Sequence, residues 1–435
     1  MIIKKEKSLA LLILSLINVT CLSIGHAYGS SILILSSLLL FSAILIFSKE
    51  SKFLPIMLFY LPWSPLLKVS PGTFTFFTLA IPIFFLITIL KNKKLKINKA
   101  TLVIVLFFIA YTLLIKLINN FSIDTSYIYF IFLLFFIPIY IVNFWVFISY
   151  KVCVLYMTVG ILSACIASGL LMDNPQMVGF INVLTRESVG LTRLSGFYGD
   201  ANFYSAQIII AIVGILTLIG KETKKSIILV QLISILSLIS FGVLSVSKMF
   251  LLSTLSIISF WVISFTFQKS KVTNKFFVVV FISIIAISVL YTNIFSAEIE
   301  QYIYRFTHGS LTTGRAELQE MYINHIFENP EKLLFGVGIS NVLINSRASH
   351  NTFIQIIWQI GLVGILLLFL WIKFTLAPIK LKLMEFSRQS LIVILLFTAY
   401  ILPWFALDYL FFDEFFYYML FVALGVKFLK NHSLE

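Results

Sequence analysis

The sequence predicts an all-α protein, a polytopic integral membrane helix bundle of about 14 transmembrane helices with two larger outer loops. Three observations predict it. The 435 residues are 60% hydrophobic and 11% charged, with a mean hydropathy of +1.04, whereas a soluble domain is about 45–50% apolar and about 25% charged. Apolar runs near the roughly 20 residues that span a bilayer recur along the chain. Lysines cluster between those runs, as cytosolic loops require.

In order, the runs lie near 8–25, 30–48, 53–67, 73–90, 100–119, 126–146, 150–171, 200–219, 226–246, 249–267, 276–294, 351–373, 390–407 and 414–430. The first reads as an uncleaved anchor, because Gly25-His26-Ala27 makes a poor signal cleavage site. The third is short and carries Pro55, Pro62 and Pro65, the pattern of a broken or re-entrant segment. Only a tight turn near Lys248 separates the ninth from the tenth. The chain therefore divides into N-terminal spans (1–171), a first large outer loop (172–199), central spans (200–294), a second large outer loop with a short amphipathic helix (295–350), and C-terminal spans (351–435).

With the N-terminus inside, the inner segments hold 23 Lys and Arg and the outer ones 8, so both termini face the cytoplasm. Lys116 lies in a span near its outer end, where it is expected to snorkel. The net charge of +14 is spread over short clusters and forms no basic patch, which argues against nucleic-acid binding. Cys21, Cys153 and Cys165 have neither paired nor metal-ligand spacing. No metal, cofactor or ATP site is expected, since there is no Asp-x-Asp cluster and no phosphate-binding glycine-lysine loop.

The arginines break the charge rule. Five of six fall outside: Arg186, Arg193, Arg305, Arg315 and Arg347. A planar guanidinium fork fits phosphate oxygens, so the group suits a polyanion, most simply a diphosphate; pairing with Glu187, Glu298, Glu300 or Glu317 is the other reading. Thr312-Thr313-Gly314-Arg315 opens a helix in which Leu318, Met321, Tyr322 and Ile326 recur at helical spacing and which Pro330 ends. Arg315 in its first turn opposes the helix dipole. His350 stands at the membrane boundary beside Asn351, where an imidazole can take a proton near neutral pH. Gly361 and Gly364 then suit close helix packing. In the first loop Asp200 is placed to cap the following helix, and Asn202 to bind a sugar hydroxyl or to pack.

Arg193-x-x-Gly-Phe with Asn202 before a span, Thr-Gly-Arg at 313–315, Phe-Gly-Val-Gly at 335–338 and His350-Asn351-x9-Gly361-x-x-Gly364 together resemble the O-antigen ligase and O-antigen polymerase superfamily over residues 190–365. The resemblance implies a metal-independent membrane glycosyltransferase of the bacterial inner membrane with its active site on the periplasmic side. Its donor would be an undecaprenyl-diphosphate-linked oligosaccharide, with membrane lipid around it and a chain-length regulator as a further partner. It implies that Arg193 and Arg315 hold the diphosphate and that His350 is essential. The family often has Ser-Arg where this chain has Ser247-Lys248. On this reading His350 takes the acceptor proton, Arg315 stabilises the leaving group, and Glu317 is the second candidate base. Arg186, Arg305, Arg347, Lys248, Asn202 and Asn351 complete the substrate contacts. Polymerisation of repeat units is favoured over ligation to a lipid A core. A flippase is the reading from another class, and the scarcity of ionisable residues inside the spans opposes it.

Overall fold

The computed structural model describes residues 2–70, 75–91, 94–119, 123–177, 193–219, 222, 224–266, 295–307, 315–339, 344, 347–379, 388–410 and 412–431. Among the described residues every regular element is a helix, beside one isolated bridge between Ile344 and Arg347, and eight helices are long and apolar enough to cross a membrane. Seven of these belong to α1 (Ile2–Ala27), α5 (Lys99–Ile118), α6 (Thr125–Phe144), α7 (Tyr150–Leu170), α8 (Ala201–Ile219), α9 (Lys225–Val243) and α10 (Lys248–Thr266). The eighth is α14 (Thr352–Leu376). Three shorter apolar helices lie among them: α2 (Ser31–Phe47), α4 (Phe76–Leu90) and most of α15 (Arg388–Ile401). The bundle closes with α16 (Asp413–Asn431). The expected eleventh span, 276–294, lies outside the described residues.

Burial sorts these helices as their sequences direct. From Ala201 to Ile219, every residue of α8 except Phe203 is buried, as suits a helix apolar on all sides. It packs against α7, α9, α10, α15 and α16. By contrast, α5 and α9 expose Val103, Leu106, Phe107, Val230 and Ile233. An apolar exterior of this kind is stable against lipid, not water. The chain is thus a multi-pass membrane protein.

The third segment is broken, as its prolines predict. An eight-residue helix, α3 (Phe53–Tyr60), runs into a 3₁₀ stretch over Leu61–Leu66 with Pro62 at its start and Pro65 inside. It is buried against α7, where Gly160 lets the two backbones touch at Phe59 and Trp63 donates to the Gly160 carbonyl. Two faces of the bundle can be told apart. Lys52 donates to Ser8 and Lys91 lies 4.0 Å from Glu50 on one face. The opposite face gathers the starts of α4, α6, α8, α10, α14 and α16.

The most consequential departure from the sequence reading is in α14. Gly361 has φ 61 and ψ −178, so the expected continuous span is two half-helices. The carbonyls freed by the break are taken by the segment after α13 (Pro330–Phe335): Val337 N–H donates to Trp358 and Gly338 N–H to Gln359, each at 2.9 Å. Tyr111 Oη donates to the Ile360 and Phe335 carbonyls. Where lipid surrounds the protein, a freed carbonyl has no water to turn to, so these partners make the break tolerable. A Cβ on Gly361 would come within 2.5 Å of Gly336 N and the Leu334 carbonyl, and one on Gly336 within 2.6 Å of Gln359. Gly361 therefore serves the approach of this loop, while Gly364 meets the neighbouring helix as expected, with Tyr111 of α5 3.1 Å from an added Cβ.

Lys116 also departs from expectation. It does not snorkel: the residue is 0% exposed, and Nζ donates to the Ile339 carbonyl at 2.7 Å, 3.8 Å from Asp124. The loop comes down to the lysine. Pro330, expected to end a helix, both follows α12 (Arg315–Glu328) and opens α13, where its missing N–H costs nothing.

Gly361→Ala should lower the melting temperature in detergent by several degrees, because a strained left-handed alanine costs on the order of 1–3 kcal/mol before any clash. Gly169→Ala in α7, with nothing within 4 Å of the added Cβ, is the control; it should be neutral or stabilising by up to about 1 kcal/mol. Equal melting of the two variants would refute the role given to the break.

Candidate functional site

Two non-glycine residues among those described have left-handed backbones, Val246 (φ 45) and His350 (φ 52). Such conformations cost about 1–3 kcal/mol each and persist only where the surroundings impose them. Both lie on the face that gathers the helix starts, and the expected site residues assemble around them.

Val246 sits in the turn between α9 and α10. Its neighbours' carbonyls are claimed by groups from distant segments. Arg193 Nε donates to Ser245 at 2.9 Å, and Leu194 N–H donates to Leu244 at 3.0 Å. Arg305, from α11 (Ser296–Thr307), donates to the Val246 carbonyl. Tyr302 of the same helix reaches the Val243 and Ser247 carbonyls at 3.4 and 3.5 Å. Burial pushes the Tyr302 phenol up to about 12, with Arg193 and Arg305 pulling the other way, so it remains a neutral donor. Lys248 starts α10 with Nζ 5.0 Å from the Phe306 ring centre. Three cations thus converge on one turn.

The first turn of α8 links this group to His350. Asp200 caps the helix as the sequence predicts, accepting from Asn202 N–H at 2.6 Å and Phe203 N–H at 3.3 Å. Asn202 is buried, and its Oδ1 accepts from Ser247 Oγ at 2.8 Å. The Asp200 carboxylate also acts on the His350 ring.

His350 is fixed by a residue that the sequence reading left in an outer turn. Asp408 Oδ1 accepts from Ser349 Oγ at 2.7 Å and from Asn351 N–H at 3.0 Å, while Oδ2 accepts from His350 N–H at 3.2 Å. The segment bearing Asp408 is itself tied to α14: Thr352 Oγ1 donates to the Leu407 carbonyl at 2.6 Å and accepts from Tyr409 N–H at 2.9 Å. Asn351 Oδ1 accepts from Phe353 and Ile354 N–H, so Asn351 is the N-cap of α14. Burial lowers the His350 pKa below the usual 6.5, and Arg315 adds to this; Asp408 and Asp200 oppose it. An imidazole so placed is mainly neutral at pH 7 and able to accept a proton.

The remaining expected residues are more loosely placed. Arg315 begins α12, near enough to His350 to disfavour its protonation. The amphipathic pattern of α12 holds: Tyr322 and Ile326 are buried with Val337, Ile354 and Trp358. Glu317 is on another side of α12, exposed and lining a groove with Glu320 and Glu328; the carboxylates that act on His350 are Asp408 and Asp200. Arg347 is exposed, and its carbonyl accepts from Tyr322 Oη at 2.6 Å. Arg186, and Thr312 to Gly314 before Arg315, lie outside the described residues. Among the described residues, no group of three or more His, Cys, Asp or Glu could hold a metal ion.

Comparison with models of known protein families gives no match, and comparison with curated proteins gives none either.

Of the two forms of an imidazole, diethyl pyrocarbonate acylates only the neutral one, so its rate at His350, followed by mass spectrometry, reports that ring's titration. Half-maximal acylation should fall below pH 6.5 in the unmodified protein. Asp408→Asn removes an anion that favours the charged ring and should move the midpoint lower; Arg315→Gln removes a cation and should move it higher. Midpoints that do not move in these opposite senses would show that neither charge faces the ring.

Proposed function

We propose that this chain is a metal-independent membrane glycosyltransferase that polymerises undecaprenyl-diphosphate-linked oligosaccharide units into a surface polysaccharide at the periplasmic face of the bacterial inner membrane. One observation carries the reading: a cation-rich turn (Arg193, Arg305, Lys248) and a neutral-leaning imidazole (His350, beside Arg315) meet at the first turn of one buried helix. Sugar transfer from a diphosphate needs both halves. Negative charge grows on the departing diphosphate, and preorganised cations stabilise it. The acceptor hydroxyl must lose a proton, and His350 is the group to take it.

The topology expected from the sequence, fourteen spans with both termini in the cytoplasm, agrees with this arrangement. It puts the starts of α4, α6, α8, α10, α14 and α16 on the periplasmic side with the site. Asp408 does not act on substrate in this mechanism; it holds the His350 backbone and biases the ring's charge. Ligation to a lipid A core uses the same groups and differs in the acceptor.

The test is to incubate the purified protein with one lipid-linked repeat unit and resolve products by size. A ladder is expected. No ladder, but transfer once a lipid A core is supplied, would make the chain a ligase; neither product, with the donor still bound, would point to transport. His350→Ala should reduce ladder formation about 10²–10⁴-fold and Arg315→Ala about 10²–10³-fold, with yield and gel-filtration profile unchanged. Arg193→Lys should also impair it, because a point charge does not replace a planar fork. Normal chain length in the His350 or Arg315 variant would contradict the assigned roles.

A further inference from the structure

We propose that a cavity of about 360 Å³ beside this site is a saccharide subsite, the dock for the acceptor sugar; its acceptor role rests on the glycosyltransferase reading above. The cavity lies among the starts of α4, α6 and α16 and the 3₁₀ stretch Leu61–Leu66. Its volume is at the smaller end of small-molecule sites.

The lining matches a neutral, hydroxyl-rich ligand. Asp413 and Glu414 supply acceptors, and Ser64, Thr75 and Thr78 supply hydroxyls at the inner wall. Tyr129 Oη donates to one Asp413 oxygen at 2.6 Å and Gln207 to one Glu414 oxygen at 3.4 Å. The Glu414 carboxyl also hydrogen-bonds with Tyr198; Asp413 keeps a second oxygen, and a carboxyl oxygen is a natural partner of a sugar hydroxyl. Tyr198 and Phe412 add flat apolar faces for the C–H side of a sugar ring. Thr125 and Ser126 are exposed at the rim.

The chemistry also excludes the ligand held next door. No Lys or Arg among the described residues lines the cavity to hold a diphosphate, and two nearby helix N-termini are already capped: Thr75 Oγ1 accepts from Phe77 N–H, and Asp124 from Tyr127 N–H. An acyl chain would leave the carboxyl and hydroxyl groups of the wall unpaired. The basic side chains therefore assign the diphosphate to the arginine turn, and the carboxyl and hydroxyl groups assign an uncharged sugar to this cavity.

The two halves share the same short segments. Asp408 fixes His350, and Asp413 and Glu414 follow within six residues. Tyr198 stacks on Phe203, with centroids 6.0 Å apart and planes at 11°, one turn after the cap Asp200. Phe203 also contacts Tyr409 and Phe412, at 5.4 and 5.1 Å. It thereby ties the first turn of α8, which carries Asp200, to the 409–412 segment and to the cavity wall.

The test uses the full chain in detergent, with oligosaccharides released by mild acid from the host's own lipid-linked glycans as probe. They carry neither lipid nor diphosphate. Millimolar probe should raise the melting temperature of the unmodified protein by a few degrees, and Glu414→Gln should abolish the shift. Ser126→Trp, which blocks the rim without disturbing the buried wall, should also abolish it, and it decides the matter if Glu414→Gln does not fold. In the transfer assay, with preformed chain as donor, Ser126→Trp should raise KM for the single-repeat acceptor at least about tenfold, with the donor dependence unchanged. No melting shift in the unmodified protein, or a shift that survives Ser126→Trp, overturns the subsite. A shift with magnesium but not with sugar overturns it in favour of a cation site. A sugar shift that Ser126→Trp removes, in a protein that neither makes polymer nor transfers glycan to a lipid A core, leaves the subsite standing and rejects the glycosyltransferase reading alone.

Discussion

Much of this structure depends on one requirement of lipid as a solvent: a backbone carbonyl released from a helix must find a partner inside the protein. The break at Gly361 releases carbonyls of Trp358, Gln359 and Ile360, and the Val337 and Gly338 N–H groups and Tyr111 take them. That demand draws part of the second large loop into the bundle, where Lys116 fastens Ile339. With Gly336 to Ile339 anchored there, the chain returns through Arg347 to His350 at the head of the same broken helix. The helix break and the placement of the candidate base are therefore linked through one loop.

Strain at the site is held by ordinary hydrogen bonds reaching across the fold. The left-handed backbone of His350 is fixed by both oxygens of Asp408, and the segment carrying Asp408 is clipped to α14 by Thr352 and by Gln355, whose Oε1 accepts from Leu410 N–H at 3.1 Å. The left-handed Val246 is held by bonds to its neighbours' carbonyls from Arg193 and Tyr302, and to its own from Arg305. The arginines thus shape the turn as well as charging it. A lysine in their place would keep the charge and lose part of the geometry.

Electrostatics divides the face bearing the helix starts. Cations gather at the α9–α10 turn and at the start of α12, while carboxylates gather over 408–414 and at Asp200. His350 stands between the two groups. Burial and Arg315 hold it towards the neutral form, with Asp408 and Asp200 limiting the shift. A ring balanced in this way can accept a proton near neutral pH.

The sequence alone determined the class of protein, because hydrophobic length is a local property. It located the described spans, the broken third segment with its prolines, the tight turn before Lys248, the cap at Asp200 and the buried face of α12. Each of these is written within a few residues. It also singled out Arg193, Arg305 and Arg315 as basic residues on the expected outer side, and His350 from its place at the membrane boundary. Only the tertiary structure decided what joins them. Asp408 is 58 residues from His350, Lys116 is 223 from Ile339, and Gly336 lies 25 residues before the Gly361 break it fills. No local pattern marks such pairs: an aspartate in an outer turn reads as solvated, a lysine near a span end reads as snorkelling, and Gly-x-x-Gly reads as a helix contact. Their roles arise where distant segments must satisfy one another's polar groups away from water, and that demand exists only once the helices have packed.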